Sequence, residues 1–494
     1  MSGSAAVTSS SDLPGIRLGV VRGISYGLFG KPGEFVPQAR ALGATLIRAY
    51  LYWGQIEPEP GRYEWDVIDA LMDQLSGDEE LWITLCSSSP WATRVPTDFL
   101  PPSPAHDPRA YGSFVRRVVR RCAGRVRYWQ CDNEPSNTGL LWAGTAEEYV
   151  AQLTTMYAAV KEADPAAAVV LGGCGYDVIH DEDDGPARRF FAHVLEAGRD
   201  AFDLFDVHLY GDARGVEAGL ATAGRLLREH GCAQPVVVGE HGAPVPFQFP
   251  EAGAALYETF GAAFADAPAT QSTAELAERA GRDTAERRAV SALYDRMPSL
   301  PPTLGMFLDG CPADLEAKRH RINARQLVMT TLLALAAGVR RTAYWNLAPE
   351  VPGPVDPRQI MALMFGKLPL LDYSGGALGV RRPAADAFAL LAGQLDGVRR
   401  VTRVEVPGHP RVYAFEVDRA GRERLLVLWE DRDVFDGEDE PPVTVAVPWP
   451  VPWDGPGATA VDALGGSPAV EVADGRLLVE VSLTPVFVTV FATA

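Results

Sequence analysis

The stretch Tyr128-Trp129-Gln130-Cys131-Asp132-Asn133-Glu134-Pro135 sets an amide and a carboxylate side by side where an apolar run meets a turn. The run Val126 to Cys131 is short and aromatic-rich, follows Gly124, and reads as a buried strand, and Pro135 ends the extended segment. Asn133 and Glu134 therefore stand at a strand's carboxyl end. In α/β proteins that edge collects ligands and reactive groups, because the strand fixes position while the loop beyond it varies. The pattern returns in Pro235-Val236-Val237-Val238-Gly239-Glu240-His241-Gly242, a β-branched run ending in a glutamate between glycines.

Outward from these two stretches, short apolar runs alternate with amphipathic segments from Gly15 onward. Strand-like runs lie near Arg17–Val21, Thr45–Ala49, Leu81–Cys86, Val126–Cys131, Val169–Gly172, Leu204–Val207, Pro235–Gly239 and Arg341–Trp345. Helical signals separate them. Asp107-Pro108 is a capping residue followed by a first-turn proline, and Thr145 with Glu148 forms a capping box ahead of a stripe from Tyr149 to Val160. Similar spacing marks Val67–Leu75, Phe190–Leu195, Leu220–Leu227 and Gln326–Ala337. Strands joined by helical crossovers are parallel neighbours, and eight such units predict a closed (β/α)8 barrel of the α/β class.

The rhythm breaks between Gly242 and Arg321, an interval about twice a normal connection that carries helix-like segments such as Glu275–Leu293. It predicts an insertion, about 243–320, over the carboxyl face of the strands, as a lid or a specificity wall. Ala384–Leu395 reads as the last barrel helix. From about Val398 the pattern changes to alternating segments with Asp/Gly/Pro turns: Val412–Val417, Leu425–Trp429, Val443–Val447, Leu477–Val481 and Val486–Phe491. The expected organisation is a barrel over 15–397 and an antiparallel β-sandwich over 398–494, packed on the barrel.

Composition narrows the partners. The 494 residues carry 64 acidic and 45 basic side chains, a formal charge of −19 that repels a phosphate backbone and argues against nucleic acid. Arg116, Arg117, Arg120 and Arg121 alternate with apolar residues at helical spacing and read as a solvated helix face. Six cysteines lack the spacing of a zinc site and read as buried free thiols, so no metal and no cofactor are expected. Met1 to Ser11 is Ser-rich without a basic start or apolar core, unlike a secretion signal, which points to the cytoplasm. The longest apolar stretch, Leu327 to Val339, is too short to cross a bilayer and reads as a core helix.

Paired carboxylates are the chemistry that the two strand ends suggest. Glycoside hydrolysis needs one carboxylic acid to protonate the leaving oxygen and a second carboxylate to attack the anomeric carbon or activate water. Three further positions suit the same face. Arg48 is a cation among Leu46, Ile47, Ala49 and Leu51, costly unless paired. His208 and Tyr210 share one face of the sixth strand by alternation. Aromatic residues at strand ends, Trp345 on the eighth and Trp53 and Trp91 after the second and third, are candidate platforms for sugar rings.

On Asn133-Glu134-Pro135 and Gly239-Glu240, the chain resembles the superfamily of retaining (β/α)8 glycoside hydrolases whose catalytic glutamates end strands four and seven. It is most like the β-xylosidase-like and cellulase-like members that carry a C-terminal β domain. The segment Trp53–Trp65 also looks like the loop after strand two in that superfamily. The resemblance implies Glu134 as acid/base, Glu240 as nucleophile and Asn133 as hydrogen-bond donor to the sugar's 2-hydroxyl. It further implies Arg48 against the nucleophile, Tyr210 bonded to it or His208 supporting it, and Trp345 as the floor of the subsite for the non-reducing sugar. The expectation is a retaining β-glycosidase acting by double displacement on a carbohydrate, without a membrane partner and with no oligomeric state assigned. The alternatives are an inverting glycosidase or transglycosylase on the same scaffold, or a catalytically silent carbohydrate-binding barrel.

Overall fold

Alternation along the apolar runs sorts the barrel into two layers. In the computed structural model, which describes residues 13–180, 184–265, 270–351, 356–448, 457–473 and 476–490, the runs form strands β1 (Arg17–Val21), β2 (Leu46–Tyr52), β3 (Glu80–Cys86), β4 (Tyr128–Cys131), β5 (Ala168–Cys174), β6 (Leu204–Tyr210), β7 (Val236–Gly242) and β8 (Arg341–Tyr344). Each pairs in parallel with the next, and β8 closes on β1 from Arg17↔Arg341 to Val20↔Tyr344. On β2, Ile47, Ala49 and Leu51 join the layer packed against the helices, whereas Leu46, Tyr50 and Tyr52 join a cluster inside the barrel. The stretch Met1–Ser11 and the tip of the expected last strand at Phe491 lie outside the described residues.

The floor of the barrel is an ion pair. Arg341 makes two hydrogen bonds to Glu80, at 2.6 and 2.9 Å, and Tyr128 donates to the same carboxylate at 2.8 Å. Arg341 is fully buried while Glu80 is half-buried, so losing Glu80 would leave a buried cation without its counter-charge.

The helix starts behave as their residues require. Asp107 accepts from the Arg109 N–H at 2.8 Å, and the Thr145/Glu148 capping box closes at 3.3 and 2.8 Å. Arg116, Arg120 and Arg121 are ion-paired on the helix Pro108–Arg121, and Arg117 lies over the Tyr63 ring. The five cysteines Cys86, Cys122, Cys131, Cys174 and Cys232 are buried, Cys311 is half-buried, and all six are free thiols. Among the described residues no helix is long and apolar enough to cross a membrane.

Elsewhere the elements differ from the sequence pattern, for physical reasons. The helix entering β8 runs from Ala313 to Ala336, well before the expected start at Gln326. Its first half is polar, and buried Arg319 and Arg325 are accommodated by carbonyl and carboxylate partners rather than by apolar spacing. Glu275–Leu293 is two helices, Thr273–Arg279 and Ala285–Asp295, because Gly281 takes a positive φ of 78° and Thr284 caps a new start. Between β8 and the helix Pro383–Gln394 come a short helix, Ile360–Phe365, and a hairpin of β9 (Leu371–Ser374) and β10 (Ala377–Arg381).

The C-terminal strands are β11 (Val398–Val404), β12 (Val412–Arg419), β13 (Arg424–Glu430), β14 (Val443–Pro448), β15 (Ala458–Asp462), β16 (Val470–Ala473), β17 (Arg476–Val481) and β18 (Val486–Val490). They form a five-stranded sheet, β11-β12-β13-β18-β15, facing a three-stranded one, β14-β17-β16. Leu426, Leu428, Val486 and Val488 fill the sandwich, while Phe415, Leu425, Val427 and Trp429 turn to the barrel. Both faces of the larger sheet are thus buried, which is why its central strands read as unbroken apolar runs. Glu438 fastens the contact, accepting from Arg321 at 2.7 Å and from Arg325 at 2.7 Å on the helix before β8.

Candidate active site

The interior of the barrel becomes polar toward its carboxyl end. Arg48 and Tyr50 on β2, Thr84 on β3, Gln130 on β4, Asp206 and His208 on β6 and Glu240 on β7 are all buried there. Arg48 organises them. Its guanidinium donates to Thr84 Oγ1 at 3.1 Å, to the Gly239 carbonyl at 2.9 Å, to Glu240 Oε1 at 2.9 Å and to Asn133 Oδ1 at 2.9 Å. The planar fork lets one cation hold both strand ends in register. Burial opposes its charge, but the carboxylates of Glu240 and Asp206 beside it favour the cation, and its pKa is raised.

Glu240 is held by three donors. Besides Arg48, Tyr50 donates to Oε1 at 2.6 Å and Tyr210 donates to Oε2 at 2.6 Å. The side chain is about 5% exposed. Tyr50 is absent from the expected set, although the alternation that pairs His208 with Tyr210 also pairs Arg48 with Tyr50.

Glu134 has a different seat. It follows β4 at φ 42°, after Asp132 at φ 52°, two non-glycine residues in the left-handed region. Such conformations persist only where the surroundings impose them. Here buried Asp132 accepts from the Ser87 N–H at 2.7 Å and from Gln152 Nε2 at 3.0 Å, pinning the turn from below. Burial pushes the Asp132 carboxyl up to about 6, against the pull of those donors. Nothing in the one-dimensional pattern marks Asp132 for this role. Glu134 itself is 19% exposed, and its only close side-chain partner among the described residues is His208, with Nδ1 2.6 Å from Oε1.

His208 bridges two carboxylates, since its Nε2 lies 3.0 Å from Asp206 Oδ2. Asp206 also accepts from the Gly239 N–H at 2.6 Å and from Gln130 Nε2 at 3.1 Å, so it stands fixed behind the ring. Position 173 has to be glycine, because a Cβ there would lie 2.3 Å from the imidazole. Burial works against an imidazolium, but Glu240 and Asp206 outweigh it and raise His208 to about 10. Burial raises Glu134 above the ordinary glutamate range; His208 opposes the shift, and Glu240 and Asp177 add to it.

Charge balance fits these directions. Arg48 and His208 bring two cations, Asp206 and Glu240 two anions, so the cluster is neutral when Glu134 carries a proton. An uncompensated buried charge would be costly. With His208 donating to Oε1, the proton on Glu134 belongs on Oε2.

Carboxylate oxygens of Glu134 and Glu240 and a ring nitrogen of His208 all fall within 4.8 Å of one another, close enough to ligate a metal ion. The donor set is nevertheless taken up. Both His208 nitrogens face carboxylates, and Arg48 supplies the positive charge beside Glu240 Oε1.

The remaining expected residues divide. Asn133 turns its carbonyl oxygen to Arg48, which leaves its NH2 to donate. Trp345 follows β8 directly, packs edge-on to Tyr50 at 6.4 Å and has its indole N–H buried without a partner among the described residues. Trp53 is no platform. It is fully buried in the strand–helix layer, stacked on Phe114 at 5.0 Å and bonded to Glu57, so neither face is open. Trp91 packs against Trp53 at 5.7 Å in that same layer, with its N–H on the Glu57 carbonyl, rather than beside the glutamates.

No protein-family profile matches the sequence, and no curated protein matches it. Solved structures do. A family 39 glycoside hydrolase from Bacteroides cellulosilyticus WH2 is similar at TM-score 0.60 and 16% identity, covering 96% of this chain and 81% of its own. A family 39 β-xylosidase from Caulobacter crescentus is similar at TM-score 0.56 and 14% identity, over 98% of this chain and 97% of its own. A family 51 α-L-arabinofuranosidase from Bifidobacterium longum gives TM-score 0.56 and 12% identity, over 99% and 97%. This chain therefore has the (β/α)8 barrel and C-terminal β-sandwich found in glycoside hydrolases.

Proposed function

We propose that the protein is a retaining β-glycoside hydrolase in which Glu240 is the nucleophile and Glu134 the acid/base. The observation that carries the reading is the gap between the two carboxylates, with oxygens within 4.8 Å. Retaining pairs stand about 5–5.5 Å apart, whereas inverting pairs stand about 6.5–9.5 Å apart to admit a water molecule. The nearest-oxygen approach is a shorter measure than the separation of the carboxyl groups. An approach within 4.8 Å favours the closer, retaining pair, in which Glu240 reaches the anomeric carbon directly.

In the first step, Glu240 attacks the anomeric carbon while Glu134 gives its Oε2 proton to the departing oxygen. The bond to the leaving group breaks as the glycosyl–Glu240 ester forms. The Tyr50 and Tyr210 hydroxyls and the Arg48 guanidinium fix the carboxylate in line and hold its charge until the bond forms. In the second step, ionised Glu134, stabilised by the N–H of His208, takes a proton from water, which releases the sugar with its original configuration. Asn133, oriented by Arg48, donates to the 2-hydroxyl, and Trp345 lies under the ring.

The test is hydrolysis of a panel of aryl α- and β-glycosides of xylose, glucose, galactose and glucuronic acid, together with aryl α-L-arabinofuranoside. Turnover of one β-glycoside, with β-sugar as the first product, is expected. Inactivity on the whole panel would leave the binding-barrel alternative.

A further inference from the structure

Resting on the glycosidase reading above, we propose that the loop between β13 and β14 of the C-terminal sandwich is a positioning element of the active site. Val434 and Phe435 at its tip hold the elements that align Tyr210 on Glu240.

The loop reads Asp431-Arg432-Asp433-Val434-Phe435-Asp436-Gly437-Glu438-Asp439-Glu440, two apolar residues within an acidic run. Its polar groups set its shape. Asp433 accepts from the N–H groups of Phe435 and Asp436, both at 2.8 Å, a local turn that presents the two apolar residues. Buried Arg432 donates to Glu430 at 2.6 Å ahead of the loop and to the Glu440 and Pro441 carbonyls at 2.7 and 2.8 Å at its far end, which draws the two ends together. The barrel helix Ala313–Ala336 supplies the matching charge. Arg321 and Arg325 bind Glu438, and Lys318 Nζ lies 4.2 Å from the centre of the Phe435 ring.

The tip leaves its own domain. Val434 is buried in one apolar cluster with Phe249, Leu256, Phe307 and Leu363, and the Phe435 ring meets Phe249 edge-on at 6.4 Å. Phe249 stands between two 3-10 turns, Pro246–Gln248 and Pro250–Ala252, on the chain that leaves β7 after Glu240. Val245 on the same chain packs inside the barrel with Tyr50 and Trp345. Leu363 belongs to the helix Ile360–Phe365, and Phe365 at its end packs on the Tyr210 ring at 5.1 Å. Tyr210 donates to Glu240 Oε2. These two short elements therefore carry the sandwich tip on one side and the supports of Glu240 on the other.

Elements this short do not hold their place by their own hydrogen bonds; packing has to do it. Truncating the tip frees Phe249 and Leu363, and with them the seat of Tyr210. A small misplacement of a catalytic carboxylate is expensive in rate.

The first experiment reads the contact without activity. In Val434→Ala/Phe435→Ala, hydrogen exchange should lose protection at the amides of Phe249, Ala252, Leu363 and Gly366, each hydrogen-bonded in wild type, while β3 and β8 keep theirs. Unchanged protection at those amides overturns the proposal, as does a loss spread evenly through the barrel. The second experiment is a double-mutant cycle with Tyr210. On the aryl glycoside selected by the panel, Phe435→Ala should lower kcat/KM by about three- to tenfold, the scale for residues that modulate a site without touching it. Phe435→Leu should recover most of the loss, and in a Tyr210→Phe background Phe435→Ala should cost nothing further. An equal loss in both backgrounds overturns the link to Glu240. Arg403→Ala breaks the ion pair with Glu217 elsewhere between the two domains and should leave both readouts unchanged. Effects equal to those of Phe435→Ala would reduce the loop to general domain docking and overturn its positioning role. A wild-type protein inert to every glycoside defeats the glycosidase reading instead, and the exchange result then decides the contact alone.

Discussion

The ends of β4 and β7 carry the same side chain on unlike seats. Glu240 is nearly sealed and takes three hydrogen bonds, from Arg48, Tyr50 and Tyr210, so its orientation is fixed. Glu134 stands on a left-handed turn, is partly open, and has the ring of His208 beside it. A nucleophile needs a carboxylate held still; an acid needs a proton that it can give up toward solvent and leaving group. In the proposed mechanism environment separates the two roles, since the residue type is common to both.

The largest expected effect breaks the β7 end. Glu240→Ala should lower kcat by about five orders of magnitude. Added azide should restore turnover and give the inverted glycosyl azide, because the anion attacks from the space of the lost carboxylate. The same anion with Glu134→Ala should give the retained azide, since there it attacks the glycosyl–Glu240 ester. One anomer from both variants would erase the contrast between the ends.

Glu134→Ala should cost about 10²–10⁴-fold on glycosides with poor leaving groups and far less on activated ones. Equal losses on both classes would remove Glu134 from the acid role. Tyr50→Phe and Tyr210→Phe, each deleting one donor to Glu240, should lower kcat/KM by about 10–100-fold while the alkaline limb of the pH profile stays where it is. That limb belongs to the β4 end. Burial raises Glu134, so the protonated form persists above the ordinary glutamate range and activity falls as it ionises. Asp177→Asn removes a negative charge that helps to raise it, and should move the limb to lower pH.

Stability should report His208 separately. Its folded pKa of about 10 lies above the free value of 6.5, so its contribution is complete below pH 6.5 and is lost as pH rises through 10. The Tm difference between wild type and His208→Gln should therefore shrink between those limits. Chelation is expected to have the smallest effect. EDTA should leave kcat unchanged, because Arg48 and His208 already supply the positive charge between the carboxylates. A loss restored by one divalent ion would replace those cations with a metal.

Much of this was readable along the chain because a period of two governs most of the barrel strands, although the ladders slip between β5 and β6, β6 and β7, and β7 and β8. Runs near Glu134 and Glu240 place both carboxylates at strand ends, and β1 occupies the run Arg17–Val21 read from the sequence. The same rule contains Tyr50 and Asp206, each two residues from a recognised site residue. They stayed hidden because a buried tyrosine or aspartate inside a strand also serves ordinary packing. Trp53 failed for the converse reason: an indole just past a strand suits a ligand or a core equally, and only the covering Phe114 decides. The helix from Ala313 was shortened because Arg319 and Arg325 are buried through polar contacts that leave no apolar period. Strands β11, β15 and β16 went unmarked, being short or rich in exposed polar residues, so that only pairing with a neighbour defines them.

The most direct measurement is to trap the glycosyl–enzyme ester. A 2-fluoro β-glycoside with a good leaving group, made from the sugar that the panel selects, should inactivate the enzyme with one label per chain. Peptide mapping should find that label on Glu240, and the first product released by the untreated enzyme should have the β configuration. A label on Glu134 or Glu251, or no label together with an α product, would contradict both the role of Glu240 and the retaining mechanism.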